Sequence, residues 1–254
     1  MLEKVRAVLI DLDGVLYVED EPIAGAREAV GRLRAAGLAL RFVTNTTARS
    51  RSHTFQRLER LGFGAADEEL VTPAALAVAH CTRHRRVALV MNEEVKHDFE
   101  GLEEADDAQA VIVGDLGDAF GYDVLNKAFR QVMAGAELIA LQRNRFWLRA
   151  DGLALDVGPF VAALEYATGR EARVVGKPAR GFFDEVLRGL RVDAGAAAMV
   201  GDDIESDIGG AMGAGLAGIL VRTGKYREDA VRASGIAPSA TVDSIADVPP
   251  LLGP

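Results

Sequence analysis

Two aspartates lie close together in the sequence, directly after an apolar run. The run VRAVLI (5–10) is followed by Asp11, Leu12, Asp13 and Gly14. This spacing places two carboxylates on one side of the chain as it leaves a strand, and glycine permits a tight turn there. Carboxylates this close repel each other unless a cation or a shared proton is present. The segment indicates either a metal-dependent acidic site or a turn with two solvated acids.

A second acidic segment follows another apolar run. Asp202 and Asp203 come after AAMVG (197–201), and Asp207 lies four residues further on. If Asp202 converges with the first two aspartates, the oxygen ligands suit Mg²⁺ rather than zinc. Asp203 and Asp207 either support that site or cap the helix predicted next in the chain.

Three further polar groups fit phosphate chemistry. Thr44 and Asn45 follow the run LALRFV (38–43), where we expect a helix to begin, and Lys177 follows RVVG (173–176). A hydroxyl, an amide and helix N–H groups could hold phosphate oxygens, and an ammonium could neutralise them. Taken singly, these groups are more typical of an ordinary helix cap and of a surface lysine. Together with the aspartates they make a complete set for phosphoryl transfer.

The elements that position these groups follow from hydrophobic patterning. Helical patterns such as 26–37, 126–137 and 181–190 separate short apolar runs. The runs cover 5–10, 38–43, 87–91, 110–114, 138–141, 173–176, 197–201 and 218–221. Strands that are apolar at every position, with helices between them, predict an α/β fold with a doubly wound, Rossmann-like parallel sheet.

The distribution of polar strand ends predicts two domains. Ligands of open α/β sheets bind beyond the carboxyl ends of strands. Reactive side chains follow 5–10, 38–43, 173–176 and 197–201, which belong to the two ends of the chain. We therefore expect a catalytic core of 1–74 and 177–254, with 75–176 inserted as a second α/β domain.

Composition narrows the partners. The 254 residues carry 38 acidic and 29 basic side chains, a net charge of −9. This balance disfavours nucleic acid and anionic membrane surfaces as partners, while a small anionic substrate stays compatible with a locally basic cleft. No signal-peptide layout and no run of about 18 apolar residues is present, so we expect a cytoplasmic protein.

The cysteine and histidine content argues against a soft-metal site. Cys81 is the sole cysteine, which excludes an intrachain disulfide and a thiolate cluster. His80 and His84 have helical i,i+4 spacing, but the glutamate of a His-Glu-x-x-His motif is missing. We interpret them as surface histidines at a basic helix end.

Four segments resemble, in order, the motifs of the haloacid dehalogenase superfamily. They are DLDGVLY (11–17), VTNTT (43–47), VVGKP (174–178) and VGDDIESD (200–207). The long insertion resembles the type IIA α/β cap. Within the chain, 146–169 and 218–226 are similar to the branch of phospholysine phosphohistidine inorganic pyrophosphate phosphatases and haloacid dehalogenase-like hydrolase domain-containing proteins.

The resemblance implies roles for the residues above. It makes Asp11 the nucleophile and Asp13 the general acid and base. The residues implied to bind transferred-phosphate oxygens are Thr44, Asn45 and Lys177. Mg²⁺ would be held by Asp11, the Asp13 backbone carbonyl and Asp202, with Asp203 and Asp207 supporting. The implied activity is a Mg²⁺-dependent phosphatase for a small phosphorylated substrate, and the cap is implied to offer a homodimer surface.

Rival functions use similar residues. A phosphotransferase would pass the same aspartyl-phosphate to an alcohol. A receiver-type signalling domain also places aspartates, a threonine and a lysine at strand ends, but is about half this length and lacks an insertion. A nucleotide-dependent oxidoreductase is disfavoured, because the glycines at 114, 117 and 121 depart from the G-x-G-x-x-G spacing.

Overall fold

The computed structural model describes residues 2–149 and 152–253. The strands within these residues are β1 (Ala7–Asp11), β2 (Tyr17–Val18), β3 (Glu21–Pro22), β4 (Ala39–Val43), β5 (Leu70–Val71), β6 (Arg86–Val90), β7 (Glu103–Glu104), β8 (Ala110–Val113), β9 (Glu137–Ala140), β10 (Phe146–Arg149), β11 (Gly152–Leu155), β12 (Arg173–Val174), β13 (Ala197–Gly201), β14 (Ala217–Val221) and β15 (Ala240–Val242).

Helices alternate with the strands. The α-helices are α1 (Ala26–Ala35), α2 (Arg51–Arg60), α3 (Pro73–His80), α4 (Glu93–Lys96), α5 (Tyr122–Met133), α6 (Val157–Thr168), α7 (Arg180–Leu190), α8 (Gly210–Gly213), α9 (Glu228–Ser234) and α10 (Val248–Leu252). A π-helical segment, Ile204–Gly209, directly precedes α8. None of the helices in the described part of the chain has the length and apolar character needed to cross a membrane.

The chain divides into two compact units. The first, here called the core unit, contains Met1–Thr44, Phe55–Val71 and Lys177–Pro254, and the second unit contains Asn45–Thr54 and Thr72–Gly176. The predicted insertion of 75–176 differs from this division at 45–54 and 72–74. Hydrogen bonds explain the first difference, because the Asn92 side chain donates to the Thr47 carbonyl at 3.2 Å and the Ser50 N–H donates to Glu94 Oε1 at 3.1 Å.

The core unit is built on a six-stranded parallel sheet in the order β15-β14-β13-β1-β4-β5. Every residue of β1 is buried, as expected for a strand covered on both faces. Helix α1 buries Ala26, Ala29, Val30 and Leu33, whose helical spacing forms one apolar stripe against the sheet. Because β1 lies between β13 and β4 and the three strands are parallel, the residues that follow them lie together at the carboxyl ends of the strands.

The second unit has its own five-stranded parallel sheet, in the order β12-β9-β8-β6-β7. Alternate residues of β8 pack on opposite faces: Val111 contacts the cluster that contains Val132 of α5, and Ile112 contacts the cluster that contains Ala77 of α3. Both sheets are parallel and flanked by helices, so the predicted α/β fold is confirmed.

Two element predictions are wrong in detail. The run 173–176 does not join the sheet of the core unit, because Arg173 and Val174 form β12 and pair with Ile139 and Ala140 of β9. An apolar pattern does not specify a partner strand. The helix predicted over 126–137 is α5, which begins at Tyr122 and ends at Met133. Hydrogen bonding from the Leu125 N–H to the Gly121 carbonyl starts it earlier, within a glycine-containing segment.

Candidate active site

Asp11 and Asp13 occupy different environments at the end of β1. Asp11 is the last residue of the strand, and its side chain is 11% exposed. Asp13 lies beyond the strand with a side chain that is 55% exposed. The turn that follows Asp13 is closed by the Gly14 N–H, which donates to the Tyr17 carbonyl at 2.8 Å. One carboxylate is therefore held inside the fold, while its neighbour remains accessible to water.

Lys177 connects two buried carboxylates. Its Nζ donates to Asp11 Oδ1 at 2.5 Å and to Asp207 Oδ1 at 2.6 Å. The lysine side chain is 2% exposed. Burial lowers the pKa of a lysine, but the two carboxylates outweigh burial here and raise the pKa of Lys177. The ammonium is therefore charged and holds Asp11 and Asp207 in fixed positions.

Asp202 follows β13 and lies against a close approach of two backbone segments. The Lys225 N–H donates to Asp202 Oδ2 at 2.7 Å. Gly14 has a φ of 83°, and a Cβ at this position would lie 2.0 Å from Asp202 Oδ2. Glycine is therefore required at position 14 both by the backbone angle and by the space the carboxylate occupies. The sequence did not indicate the contact with Lys225, because the segment 218–226 that contains it was informative only through its family resemblance.

Asp207 lies on the π-helical segment Ile204–Gly209 and is almost fully buried. Its Oδ2 accepts from the Asp203 N–H at 3.2 Å. Asp203 caps the segment, since its Oδ1 accepts from the N–H groups of Glu205 at 3.0 Å and Ser206 at 2.9 Å. Single π turns inside helices are frequent at functional sites. Asp203 therefore caps this segment, and the Asp207 carboxylate lies in a buried acidic cluster, where its supporting role stays a prediction.

The acidic cluster carries more negative charge than Lys177 balances. Side-chain oxygens of Asp11, Asp202 and Asp207 lie within 4.8 Å of one another. Burial, followed by the charges of the other two aspartates, raises the pKa of Asp202 to about 8. Burial likewise raises the pKa of Asp207 to about 7 although Lys177 opposes it. A buried cluster of hard oxygen donors that resists ionisation is a place where a divalent cation is stabilising.

The two predicted phosphate-binding residues after β4 fall in different units. Thr44 is buried in the core unit, where its N–H donates to the Val71 carbonyl at 3.3 Å. Asn45 begins the second unit, and a Cβ on Gly176 would lie 2.8 Å from its Oδ1. Their predicted roles stay predictions.

The expectation that a helix begins at these residues is wrong. Helix α2 begins at Arg51, because the Ser50 hydroxyl accepts from the His53 N–H at 3.2 Å and Asp98 accepts from the Arg51 N–H at 2.8 Å. These contacts provide the cap that stabilises a helix N-terminus. The free helix N–H groups invoked for phosphate binding are therefore not at Thr44 and Asn45.

Sequence reasoning also missed Arg57. Its guanidinium carbon lies 4.4 Å from the centroid of the Tyr17 ring, its Nη1 lies 3.9 Å from Asp13 Oδ1, and it donates to the Glu19 carbonyl. Burial raises the pKa of Asp13, and the charge of Arg57 is the largest effect lowering it. The seven helical residues from Arg51 to Arg57 carry no motif, so no sequence signal pointed to this contact.

Comparison with known proteins gives consistent relatives. A protein-family model described as haloacid dehalogenase-like hydrolase matches residues 8–103, and one described as HAD-hydrolase-like matches 174–248. The chain is 46% identical over 223 residues to haloacid dehalogenase-like hydrolase domain-containing protein 2 of Homo sapiens, covering 87% of this chain and 86% of the relative. It is 38% identical over 258 residues to phospholysine phosphohistidine inorganic pyrophosphate phosphatase of Homo sapiens, covering 99% and 95%.

A solved structure described as p-nitrophenyl phosphatase from Archaeoglobus fulgidus is also similar. It superposes with a TM-score of 0.91 at 28% identity, covering 97% of this chain and 98% of that chain. Similarity in fold and in sequence therefore extends over both units.

Proposed function

Because the chain belongs to the haloacid dehalogenase-like hydrolase family, we propose that it hydrolyses a small phosphorylated substrate through a phosphoryl group carried transiently on Asp11. Family membership confirms the resemblance carried by the four sequence motifs, including the branch, and the expectation of a hydrolase. The strongest structural support for this function is the buried Lys177, which bridges Asp11 at 2.5 Å and Asp207 at 2.6 Å.

Lys177 supports the assignment of Asp11 as nucleophile in two ways. Its ammonium holds Oδ1 of Asp11 in place, so the other oxygen has a defined direction. A positive charge at this point also stabilises the anionic phosphoryl group during transfer. Asp207 accepts from the same ammonium and from the Asp203 N–H, which leaves it to position Lys177 rather than to react.

In the first step, the Asp11 carboxylate attacks phosphorus and the bond from phosphorus to the leaving atom breaks. Asp13 gives its proton to that atom as it departs. In the second step, ionised Asp13 takes a proton from water, and the resulting hydroxide attacks the same phosphorus. The bond between phosphorus and Asp11 breaks, which releases inorganic phosphate and restores both carboxyl groups.

The acidic cluster fits Mg²⁺. Asp11 and Asp202 offer buried carboxylate oxygens, and we propose the Asp13 backbone carbonyl as a further ligand. All three are hard oxygen donors, which Mg²⁺ prefers. When bound, Mg²⁺ neutralises charge on the phosphoryl oxygens and lowers repulsion between the carboxylates. Asp207 is a poorer ligand, because both of its oxygens already accept hydrogen bonds.

The names of the relatives suggest which substrates to test. One is described as a p-nitrophenyl phosphatase, and another as a phospholysine phosphohistidine inorganic pyrophosphate phosphatase, so the compounds to test are p-nitrophenyl phosphate, phospholysine, phosphohistidine and inorganic pyrophosphate. These compounds differ in the leaving atom, which is a phenolate or phosphate oxygen in two cases and a nitrogen in the others. Asp13 can donate a proton to either an oxygen or a nitrogen leaving atom. We therefore propose that the substrate is a small phosphorylated compound, and that these four compounds form the first activity screen.

The test is Asp11→Asn, because an amide cannot attack phosphorus. Phosphate release should fall by roughly 10³-fold or more, as for other nucleophile deletions. Acid-quenched wild-type protein should retain label from ³²P-substrate, and the variant should not. Asp243→Asn, an exposed aspartate paired with Arg222, is the matched control and should keep both signals. Retention of more than a tenth of wild-type kcat by Asp11→Asn would refute the covalent mechanism.

Hydrolysis and phosphotransfer share the labelled intermediate. Adding an alcohol at increasing concentration separates them: a phosphatase keeps releasing one phosphate per substrate consumed, whereas a phosphotransferase forms a phosphorylated alcohol instead. A receiver-type domain would take up label once without repeated release.

We also propose that the chain forms a homodimer through the β10–β11 hairpin. Phe146 pairs with Leu155, and Leu153 lies on the same face two residues away. Their exposed fractions are 56%, 64% and 73%. An isolated two-stranded hairpin with an apolar face exposed to water is marginal, and a second copy would cover it. Sedimentation equilibrium should show a dimer that Leu153→Glu dissociates, while Ala154→Glu on the opposite face should not. A monomeric wild type would refute this.

A further inference from the structure

The second unit contains a convergence of two histidines and one glutamate. His80 ends α3, His84 follows a 3₁₀ turn, and Glu137 begins β9. His80 Nε2 lies 3.3 Å and His84 Nε2 lies 2.9 Å from Oε2 of Glu137. The side chains are 19%, 17% and 26% exposed. Both histidines are partly exposed, and a strand more than fifty residues away brings a carboxylate to them, a contact that the sequence pattern did not indicate.

A guanidinium lies among these three side chains. Arg83 Nη2 is 2.9 Å from His80 Nε2 and 3.2 Å from Glu137 Oε2, and Arg83 Nε is 3.3 Å from His84 Nε2. A guanidinium can only donate hydrogen bonds. Depending on its tautomer, each imidazole Nε2 either accepts from Arg83 or donates to Glu137. The Glu137 carboxylate accepts from Arg83, so the contacts of all three side chains converge on one place.

Glu137 also contacts a second guanidinium, that of Arg173. Arg173 Nε donates to Oε1 at 2.9 Å. His80 Nε2 lies 3.1 Å from Oε1 and 3.3 Å from Oε2, and His84 Nε2 lies 2.9 Å from Oε2. A metal ligand is commonly oriented by a hydrogen bond of the kind that Arg173 makes.

The spacing of the donor atoms suits a small divalent cation. Bond lengths of about 2.0–2.2 Å and tetrahedral angles place zinc ligands roughly 3.3–3.5 Å apart. The two nitrogen-to-Oε2 distances are 3.3 and 2.9 Å, and all three donor groups lie within 4.8 Å of one another. The two nitrogen-to-oxygen separations are therefore within a few tenths of an ångström of the spacing expected for two ligands of one zinc ion.

We propose that His80, His84 and Glu137 bind a divalent cation of the zinc class, and that the Arg83 guanidinium occupies its place in the metal-free chain. Two nitrogens and one oxygen suit Zn²⁺ or Co²⁺ and do not suit Mg²⁺. The Arg83 side chain is 58% exposed and can move into solvent. Three protein ligands leave one position for water. Bound metal would link the end of α3 to β9 inside the second unit.

Zinc binding to the full chain tests this proposal independently of catalysis. The protein is first freed of transition metals and kept in excess Mg²⁺. It is then titrated with Zn²⁺, followed by calorimetry, and with Co²⁺, followed by visible absorption. Wild type and Asp202→Asn should each bind zinc at this site and show the intense spectrum of tetrahedral Co²⁺. His84→Gln and Glu137→Gln should lose roughly 100-fold or more in affinity, beyond the 10–100-fold typical of a residue that only orients a ligand.

His97→Gln is the matched control. His97 Nδ1 lies 3.2 Å from Glu100, and within residues 2–149 and 152–253 no third donor joins this pair to form a metal group. Its affinity for zinc should equal that of wild type. Equal affinity in wild type and His84→Gln would overturn the proposal, as would a Co²⁺ spectrum that Glu137→Gln leaves unchanged.

Arg83→Ala distinguishes a metal site from a structural ion-pair cluster. Removing a guanidinium that competes for the same position should tighten zinc binding by about two- to fivefold. This factor corresponds to the free energy of a partly exposed ion pair. The zinc-induced rise in Tm should grow accordingly. Unchanged or weaker binding would overturn the placement of the cation at the position of Arg83. This variant keeps all three ligands, so it tests the site even where a ligand variant folds poorly.

Discussion

At the scale of single residues, Asp11 and Asp13 differ in their access to water. The Asp11 side chain is 11% exposed and binds Lys177, whereas that of Asp13 is 55% exposed. A general acid and base must contact the leaving atom of the substrate in the first step and a water molecule in the second, so its carboxyl group has to be exposed. Burial also raises the pKa of Asp13, which favours the protonated form needed for the first step.

Asp13→Asn should therefore reduce kcat by roughly 10²–10⁴-fold for a substrate with an alkoxide leaving group, the usual range for a general acid and base. The loss in the first step should be smaller for p-nitrophenyl phosphate, whose leaving group needs no proton. Pre-steady-state release of nitrophenolate, followed optically, measures this step. Asp20→Asn changes another acid near Arg57 and should alter neither substrate by a comparable factor. Equal losses across leaving groups would contradict the acid role.

At the scale of elements, Arg57 of α2 is held against the β2–β3 hairpin. The guanidinium packs on the Tyr17 ring, donates to the Glu19 carbonyl and has its Nε 3.3 Å from Asp20 Oδ1. Asp13 itself bridges to Tyr17 at the base of the hairpin. The helix therefore limits the movement of the backbone that carries the proposed acid.

Arg57→Met should lower kcat/KM about fivefold, corresponding to roughly 1 kcal/mol for a cation–π contact combined with a partly exposed ion pair. Arg60→Met is the matched control, because Arg60 also binds Asp20, at 3.0 Å, but its side chain is 59% exposed. It should change kcat/KM by less than twofold. Equal effects of the two variants would mean that Asp20 alone, rather than the contact with Tyr17 and Asp13, accounts for the result.

At the scale of the whole molecule, the acidic cluster couples stability to pH and metal. The pKa of Asp202 is about 8 in the folded chain, whereas the ordinary value for an aspartate, taken for the unfolded chain, is 3.8. Folding therefore favours the protonated form, and the cost is absent below pH 4, grows between pH 4 and 8, and is complete above pH 8. Asp207, with a pKa of about 7, contributes in the same direction.

Metal-free Asp202→Asn should thus come close to wild type in Tm below pH 4 and exceed it by a growing margin as pH rises to about 8. Mg²⁺ should raise the Tm of wild type most at the upper end of this window, and raise that of the variant less. Differential scanning calorimetry at several pH values provides the measurement. Asp243→Asn, on the exposed surface, should follow wild type throughout. A margin that is flat or shrinks with pH would contradict the cluster's electrostatics.

The sequence alone was sufficient for the α/β class, the parallel sheets and the family. These depend on local patterns: apolar runs long enough for a strand, and reactive side chains directly after them. Asp11 and Asp202 could be placed together because β1 and β13 are both apolar runs, and an acid ends the first and directly follows the second. Parallel neighbours in a sheet bring such ends to one edge, so no knowledge of distant contacts was required.

Tertiary structure decided which distant groups meet. Lys177 reaches Asp11, 166 residues away, although the strand before it pairs in the other sheet. The start of α2 depends on Asp98, a residue 47 positions from Arg51. Glu137 meets His84 from another strand. Hydrogen bonds and ion pairs such as these leave no periodic pattern in a sequence, because their partners are selected by how sheets and helices pack, and only the folded chain brings those atoms within bonding distance.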